Sequence, residues 1–215
     1  MPKRTKEEEA ARLRGMMVYE EACYVRGLHA VCGVDEAGRG PLAGPVTAAA
    51  VILPRGLIIE GLDDSKKVAE KKRRALYDVI MREAVAVAVV CVGPREIDEI
   101  NILQATMKAM AEAVAQLPVR PDYVLVDGNR LPPWTYPSEA VIGGDAKSVS
   151  VAAASMIAKV TRDALMTEYD EQFPGYGFAK HKGYGTPAHI AAIGELGLSE
   201  IHRTSFCKKE WLPQR

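Results

Sequence analysis

The feature that most constrains this chain is a set of short apolar runs that each lead into carboxylates. AVCGV at 30–34 is followed by Asp35 and Glu36, YVLV leads into Asp127, and AVIGG leads into Asp145. Short runs rich in β-branched residues and bounded by glycine or proline are typical of strands. Because ligand sites in α/β sheets gather at strand ends, we expect these four carboxylates to lie close together.

The other patterns predict helices between and around these strands. Strands are predicted at 30–34, 45–54, 84–92, 122–129 and 140–145, and helices at 6–27, 65–83, 101–117 and 148–173. The first two strands are expected to form a hairpin. The third is apolar throughout, which is typical of a strand covered on both faces, although its periodicity fits a buried helix equally. Strands that first follow one another and then alternate with helices favour an α/β domain with a mixed sheet.

Composition excludes several classes of function. Lys plus Arg and Asp plus Glu balance at 28 each, so no overall positive field marks a nucleic-acid binder. The four cysteines form no CxxC pair, which argues against a zinc site or a disulfide framework. No GxSxG, HExxH or P-loop motif occurs. Without an apolar run of the roughly 18 residues that span a bilayer, or an apolar signal core, a cytoplasmic protein with no membrane partner is expected.

Four carboxylates at one edge of a sheet would repel one another, and burying each ion costs several kcal/mol. A cation bound among them would offset this cost. Oxygen ligands of this kind suit Mg²⁺ or Mn²⁺. Two such ions roughly 4 Å apart can activate water and stabilise the leaving oxygen in phosphodiester hydrolysis. Two alternatives stay open at this point: Asp127 as a turn residue before Gly128, and Asp145 as the cap of the following helix.

The segment after the first carboxylate pair, GRGPLAG, contains glycines in an order that differs from a P-loop. Without side chains, Gly38 and Gly40 allow the backbone to approach a ligand closely and to present N–H and C=O groups to it. Arg39 lies between them and could hold a phosphate. The segment therefore has the character of a ligand-binding loop.

Seven ordered blocks between about residues 31 and 206 resemble bacterial ribonuclease HII. They are GVDEAGRGPLAGPV, DDSKK, EIDEINILQATMKAM, YVLVDGN, GGDAKSVSVAAASMIAKVTRD, YGFAKHKGYGT and HRTSF. The resemblance implies a ribonuclease H-like fold, a mixed five-stranded sheet flanked by helices, with a C-terminal helical region that completes the substrate groove. Residues 1–30 would form a helical leader and residues 31–215 the catalytic domain.

The resemblance also implies an activity and a set of site residues. The activity is metal-dependent endonucleolytic hydrolysis of RNA in RNA/DNA hybrids, together with cutting 5′ of a ribonucleotide embedded in duplex DNA during replication and repair. The products would carry a 3′-hydroxyl and a 5′-phosphate. The catalytic metal ligands would be Asp35, Glu36, Asp127 and Asp145, with Mg²⁺ or Mn²⁺, two ions when substrate is bound.

Substrate contacts follow from the same resemblance. The ribose 2′-OH, the one group that distinguishes RNA from DNA at a single nucleotide, would be read by Gly38, Arg39, Gly40 and Tyr184. An enzyme that acts at any sequence also needs phosphate contacts. The candidates are Ser65, Lys66, Lys182, Arg203 and Ser205. A monomer is expected. The alternatives are a resolvase-type or transposase-type nuclease of the same fold and a non-enzymatic module that binds divalent cations or nucleic acid.

Overall fold

Small and β-branched residues give the chain strands that pair into one mixed sheet in the computed structural model, which describes residues 5–213. The strands are Val31–Ala37 (β1), Val46–Ile52 (β2), Ala86–Val92 (β3), Tyr123–Asp127 (β4) and Ser138–Val141 (β5). Their order is β3-β2-β1-β4-β5. β2 is antiparallel to both β1 and β3, whereas β4 is parallel to β1 and β5 is parallel to β4. The mixed sheet and the β1–β2 hairpin are therefore as predicted.

Helices cover both faces of this sheet. They are Lys6–Gly15 (α1), Val18–Val25 (α2), Glu70–Glu83 (α3), Pro94–Ala115 (α4), Val149–Gln172 (α5), Phe178–His181 (α6) and Pro187–Leu196 (α7). The alternating residues of β2 divide the core: Ala48 and Ala50 pack with α4, while Ala49 and Val51 pack with α3 and α5. None of the helices within residues 5–213 combines the length and the apolar character needed to cross a membrane.

Helix α5 lies directly on β1 because Gly33 has no side chain. A Cβ atom at Gly33 would come within 2.0 Å of the carbonyl carbon of Ser150. The small residues of α5 at 152–155 are all buried against the sheet, as the sequence predicted. This close contact places Ser155 beside Asp35, at the carboxyl end of β1.

The single leading helix predicted at 6–27 is wrong, because the chain turns at Met16 and Met17 and starts a second helix. Both methionine side chains at this turn are buried against the core. It also frees the Met16 carbonyl, which accepts a hydrogen bond from the Val149 N–H at 3.2 Å. The turn thus joins the leader to the first residue of α5.

The second leader helix completes the capping of α5. Glu20, only 1% exposed, accepts hydrogen bonds through Oε1 from the Ser148 hydroxyl and from the Ser150 N–H. The Ser148 hydroxyl in turn accepts from the Val151 N–H at 3.2 Å. Since the first N–H groups of a helix have no partner within the helix, the leader provides partners that α5 lacks. The predicted division into residues 1–30 and 31–215 stays a prediction, and residues 1–4 and 214–215 lie outside the described part.

The ends of β1 and β5, and the cover of β3, differ from the sequence prediction. β1 continues to Ala37 because its pairing with β2 continues, so Asp35 and Glu36 lie within the strand and not after it. β5 ends at Val141, and Asp145 lies in a following 3₁₀ turn, Gly144–Ala146. β3 is an edge strand that is buried on one face, whereas Val87 and Val89 on the other face are only partly buried, so the expected cover on both faces is incomplete.

Helices α3 and α4 also begin at other residues than predicted. α3 begins at Glu70, because residues 65–68 form turns. α4 begins at Pro94, seven residues before the predicted start, and is kinked at Asn101, whose φ is 66°. The Asn101 side chain accepts hydrogen bonds from the Leu103 and Gln104 N–H groups, so it caps the second half of α4. This second half is the segment that the sequence predicted as a helix.

Candidate active site

The parallel pairing of β1 with β4 brings three of the predicted carboxylates together. Val34 lies opposite Val126 in this ladder, so Asp35 and Glu36 on β1 reach the same edge as Asp127 on β4. Asp35 is only 4% exposed. Its Oδ1 accepts a hydrogen bond of 2.7 Å from the Glu36 N–H, which fixes one oxygen of the pair.

The fourth carboxylate is brought in by a hydrogen bond across the edge. The Gly144 N–H donates to Asp127 Oδ1 at 2.7 Å, which holds the 3₁₀ turn containing Asp145 against the end of β4. Asp145 does not cap α5, because Ser148 is the N-cap residue and its hydroxyl accepts from the helix. The alternative that Asp145 is a helix cap is therefore wrong.

Burial and mutual repulsion make this cluster electrostatically costly. Burial, with the charges of Glu36 and Asp127, raises the pKa of Asp35 well above its usual range. Burial also raises the pKa of Glu36, although Arg39 opposes the shift. Burial, together with the charges of Asp64 and Asp127, raises the pKa of Asp145. A positive charge among these groups would offset a penalty that the protein alone leaves in place.

Asp64 is a member of the cluster that sequence reasoning missed. Its carboxyl group interacts with that of Asp145 through a hydrogen bond and through charge. It lies in DDSKK, a block of the resemblance in which only Ser65 and Lys66 are predicted as site residues. Lys66, from the same block, is exposed, and although burial lowers its pKa, attraction to Asp145, Asp35 and Asp64 raises it.

The donor set suits a hard divalent cation, but the carboxylates do not form a closed cage. Within residues 5–213, no three carboxylate, imidazole or thiol side chains lie close enough together to hold an ion alone. Mg²⁺ in enzymes is commonly bound by one or two carboxylates, with waters and substrate phosphate as the other ligands. The chemistry of the residues therefore fits an ion whose coordination is completed by water and substrate.

The loop at 38–45, called the GRG loop after its first three residues, lies beside these carboxylates. The Arg39 guanidinium is 3.5 Å from Glu36 Oε1 and about half exposed. A Cβ at Gly40 would lie 3.9 Å from Tyr184 Cε1, and the Tyr184 side chain is 44% exposed. The structure thus brings GRG and Tyr184 together next to Glu36, although they are far apart in sequence.

A cavity of about 330 Å³ opens between this loop and α4. Its walls combine charged and apolar residues: Glu36, Arg39, Leu103, Thr106, Met107, Met110, Asp127, Gly128, Asn129 and Arg130. Sequence reasoning missed Asn129, Arg130 and the residues of α4. Their signal was the position of GNR immediately after Asp127 and the block EIDEINILQATMKAM, which belongs to the resemblance but has no predicted site residue.

The candidate phosphate contacts are placed in different ways. Ser65 is buried, and its hydroxyl forms a 3.0 Å hydrogen bond with the hydroxyl of Ser155. The Lys182 ammonium is partly buried and donates to the Asp163 carbonyl and to the Thr167 hydroxyl. Ser65 and Lys182 are therefore not exposed, whereas Lys66 is.

The expectation that Arg203 contacts phosphate is contradicted by its burial. Arg203 is 0% exposed, and its guanidinium donates to the carbonyls of Gly38, Arg39 and Gly44. Ser205 lies at the surface, where its N–H and hydroxyl donate to the carboxylate of Asp98. Both residues of the HRTSF block therefore bond to the protein itself in this structure.

Two buried histidines, His202 and His189, form a chain of hydrogen bonds behind Tyr184. The Ser199 N–H donates to His202 Nδ1, so neutral His202 carries its proton on Nε2. His202 Nε2 then donates to His189 Nε2 at 3.1 Å, which leaves the His189 proton on Nδ1 to donate to the Tyr184 carbonyl at 3.0 Å. His181 stacks on His189 with ring centroids 4.4 Å apart. The bonds to Ser199, to Tyr184 and between the two rings require His202 and His189 to be neutral.

We expect this histidine chain to make stability depend on pH. Burial first, and then His189 and His181, lower the pKa of His202 to about 4. The unfolded chain, with a histidine pKa near 6.5, binds the proton more readily, so the contribution is complete above about pH 6.5. It is lost as the pH falls towards 4, by about 3 kcal/mol in total.

Urea unfolding of the wild-type protein and His202→Gln between pH 7 and 4.5 checks this expectation. The wild-type protein should lose more free energy of unfolding over this range than His202→Gln does. Substitution of the exposed His29 by Gln is the control and should leave the wild-type slope unchanged. Parallel curves for the wild-type protein and His202→Gln would contradict the assignment.

Comparisons with known proteins agree on one family. The family model of ribonuclease HII matches residues 32–209. A ribonuclease HII of Geobacter metallireducens is 56% identical over 193 residues, which cover 90% of this chain and 91% of that protein. A ribonuclease HII of Acetivibrio thermocellus is 53% identical over 202 residues, which cover 94% of this chain and 79% of that protein. The crystal structure of ribonuclease H2 from Pyrococcus horikoshii has a TM-score of 0.71 and 28% identity, covering 81% of this chain and 92% of that chain. The predicted ribonuclease H-like fold is confirmed.

Proposed function

The chain belongs to the ribonuclease HII family and is an endoribonuclease, and on this premise we propose that it cuts 5′ of ribonucleotides embedded in duplex DNA. It also hydrolyses the RNA strand of RNA/DNA hybrids, uses Mg²⁺ or Mn²⁺, and leaves 3′-hydroxyl and 5′-phosphate ends. The observation that carries this proposal is the position of the GRG loop directly after the carboxylate pair of β1.

This position puts the residues that would recognise the ribose within a few residues of the carboxylates that would bind the metal ions. Arg39 forms an ion pair with Glu36, and Tyr184 lies against Gly40 at the other side of the loop. A glycine backbone can approach a ribose closely and hydrogen-bond its 2′-OH, while the tyrosine ring packs on a neighbouring sugar. A duplex held this way presents the phosphate next to the recognised ribose to the carboxylates.

Asp35, Glu36, Asp127 and Asp145 are the proposed metal ligands. When bound, Mg²⁺ or Mn²⁺ would supply an activated water and stabilisation of the leaving oxygen. The protein prepares the ligands by fixing single oxygens: the Glu36 N–H holds Asp35, and the Gly144 N–H holds Asp127. The Ser155 hydroxyl is a further hydrogen-bond partner of the Asp35 carboxyl group.

The exposed cations near the cluster are suited to phosphates on either side of the cut. Lys66 faces the carboxylates from the loop before α3, and Arg39 and Arg130 line the cavity beside them. Contacts to phosphate position a duplex without selecting its sequence, as an enzyme acting at any ribonucleotide requires. Lys182 and Ser205 remain weaker candidates, because their donors already have protein partners.

Cleavage of three matched duplexes tests the proposal. One contains a single ribonucleotide, the second is an RNA/DNA hybrid, and the third is all DNA, each with Mg²⁺ or Mn²⁺. We expect the first two to be cut and the third to remain intact. Cutting of the all-DNA duplex would favour a resolvase-type or transposase-type nuclease. No turnover, with a large loss of thermal stability when divalent ions are removed, would favour a binding module.

A cytoplasmic location, a monomeric state and a role in replication and repair were expected from the sequence. We propose all three for this protein together with its activity. Size-exclusion chromatography with light scattering would test the monomer, and a dimer at micromolar concentration would contradict it.

A further inference from the structure

Two buried arginines hold the GRG loop from beneath. Arg162, on α5, is 1% exposed. Its Nε donates to the Pro45 carbonyl at 2.9 Å, its Nη1 to the Lys182 carbonyl at 3.0 Å, and its Nη2 to the Ala43 carbonyl at 3.1 Å. Each branch of the guanidinium therefore bonds to the main chain, and two of the three bonds reach the loop at 38–45.

Arg203 holds both ends of the same loop. Its Nε donates to the Gly44 carbonyl at 3.0 Å, its Nη1 to the Arg39 carbonyl at 2.9 Å, and its Nη2 to the Gly38 carbonyl at 2.6 Å. Burial lowers the pKa of both Arg162 and Arg203. Burying two cations is costly, so their five bonds to carbonyl oxygens of this loop indicate that its position matters.

The loop and Arg162 fit together with no spare room. Gly38 has a φ of 92°, a conformation that favours glycine, and a Cβ there would lie 1.9 Å from Arg162 Nε. The loop is held from the outside as well, because the Leu42 N–H donates to the Gly183 carbonyl at 2.8 Å. The loop at 38–45 thus bonds both to the two buried arginines and to Gly183, the residue before Tyr184.

The arginine bonds determine where the N–H groups of the loop point. In a trans peptide, the C=O and the N–H of one plane point in opposite directions, and residues 5–213 contain no cis peptide. Since the Gly38 and Arg39 carbonyls point inward to Arg203, the N–H groups of Arg39 and Gly40 point away from it. Among the described residues, neither N–H donates to a backbone carbonyl.

We propose that Arg203 and Arg162 are positioning residues for ribose recognition, which rests on the proposed function of the GRG loop. By holding the Gly38 and Arg39 carbonyls inward, Arg203 presents the N–H groups of Arg39 and Gly40 to an oxygen acceptor of the ribonucleotide. Arg162 fixes the distal half of the loop, so that the pair of N–H groups stays next to Tyr184 and Glu36. A lysine in either place keeps the charge but loses the planar fork that binds several carbonyls at once.

Binding measurements on Arg203→Lys and Arg162→Lys test this role. With Ca²⁺ in place of Mg²⁺, Kd is measured for a duplex with one ribonucleotide and for the same duplex made of DNA. We expect each variant to lose about tenfold of the preference for the ribonucleotide, since a lost hydrogen bond to an uncharged group of this kind is worth about that factor. The Kd for the DNA duplex should stay within about twofold of the wild-type value. Arg82→Lys, at an exposed arginine of α3, is the matched control and should keep the full preference.

A second measurement needs no variant. In the free wild-type protein, the Arg39 and Gly40 amides should exchange their hydrogens without protection, and both should become protected when the ribonucleotide duplex is added. Protection in the free protein would overturn the proposed orientation, and lysine variants that fold and keep the wild-type preference would overturn the positioning role. If the wild-type protein shows no preference for a ribonucleotide, the proposed function fails, whereas the exchange of the free amides still reports on the orientation.

Discussion

Asp35→Asn is expected to lower the cleavage rate at saturating Mg²⁺ by about 10³-fold or more, the effect of removing one preorganised electrostatic group from an active site. The same substitution should raise the free energy of unfolding in metal-free buffer. The reason is that Asp35 is buried and repelled by Glu36 and Asp127, so its charge opposes folding when no cation is bound. Activity and stability should therefore change in opposite directions.

The pH dependence of metal-free stability separates this explanation from a simple loss of a ligand. Because the pKa of Asp35 is raised in the folded protein, the folded state holds a proton that the unfolded chain releases. Stability should fall as the pH rises above about 4, the usual aspartate pKa, and Asp35→Asn should flatten this fall. Urea unfolding with EDTA at several pH values measures it.

Asp78→Asn, at an exposed carboxylate of α3, is the control for the loss of one negative charge. It should leave both the cleavage rate and the metal-free stability near the wild-type values. Full activity of Asp35→Asn, or a lower stability of this variant in EDTA, would contradict the assignment of Asp35 to the metal-binding cluster.

Gly33→Ala is expected to destabilise the protein by about 3 kcal/mol or more, at the upper end of what overpacking costs. The added Cβ would lie 2.0 Å from the carbonyl carbon of Ser150 and 2.3 Å from the Val151 nitrogen, and neither backbone atom can move unless α5 moves. At about 2–4 °C per kcal/mol for a chain of this size, Tm should fall by roughly 10 °C.

The matched control is Gly15→Ala, because no atom lies within 4 Å of a Cβ placed there. Alanine is favoured over glycine in helices, and Gly15 ends α1, so Tm should stay the same or rise slightly. Thermal unfolding of both variants in EDTA measures the difference. Equal Tm values for Gly33→Ala and Gly15→Ala would show that α5 does not need its close contact with β1.

The part of the site that could be predicted from the sequence is the part determined by neighbouring strands. Asp35 and Asp127 follow apolar runs, and strands of an α/β sheet that pair in parallel bring such residues to one edge. The exact end of β1 could not be predicted, because it depends on pairing with β2 as far as Ala37. Asp64 was missed because its approach to Asp145 is a contact between two loops, which no local pattern records.

Arg203 shows the second limit of sequence reasoning. A basic residue beside a histidine in a loop is usually exposed, so its pattern favours a phosphate contact. Whether it is buried depends on the carbonyls that the loop at 38–45 turns inward, which is a property of the tertiary structure. The neighbouring Tyr184, in contrast, was expected next to GRG from the family resemblance, and the structure places it there.

The split of the leading helix has a similar cause. Leu13, Met16 and Met17 share one apolar face in a continuous helix, so their spacing favours one helix. In the folded protein, the Met16 carbonyl and the Glu20 carboxylate both bond to the start of α5, and the chain must turn between them. This requirement comes from a helix about 130 residues further along the chain, as the separation of the Glu20–Ser150 pair shows.

The most direct test of the central claim, that one segment both recognises the ribose and cuts beside it, is the position of the cut. Duplexes that carry a single ribonucleotide at two adjacent positions are cleaved with Mg²⁺, and the ends of the products are mapped. We predict one cut immediately 5′ of the ribonucleotide, with a 3′-hydroxyl and a 5′-phosphate, and a shift of the cut by one nucleotide when the ribonucleotide shifts. A cut 3′ of the ribonucleotide, or one that stays in place when the ribonucleotide moves, would contradict the account.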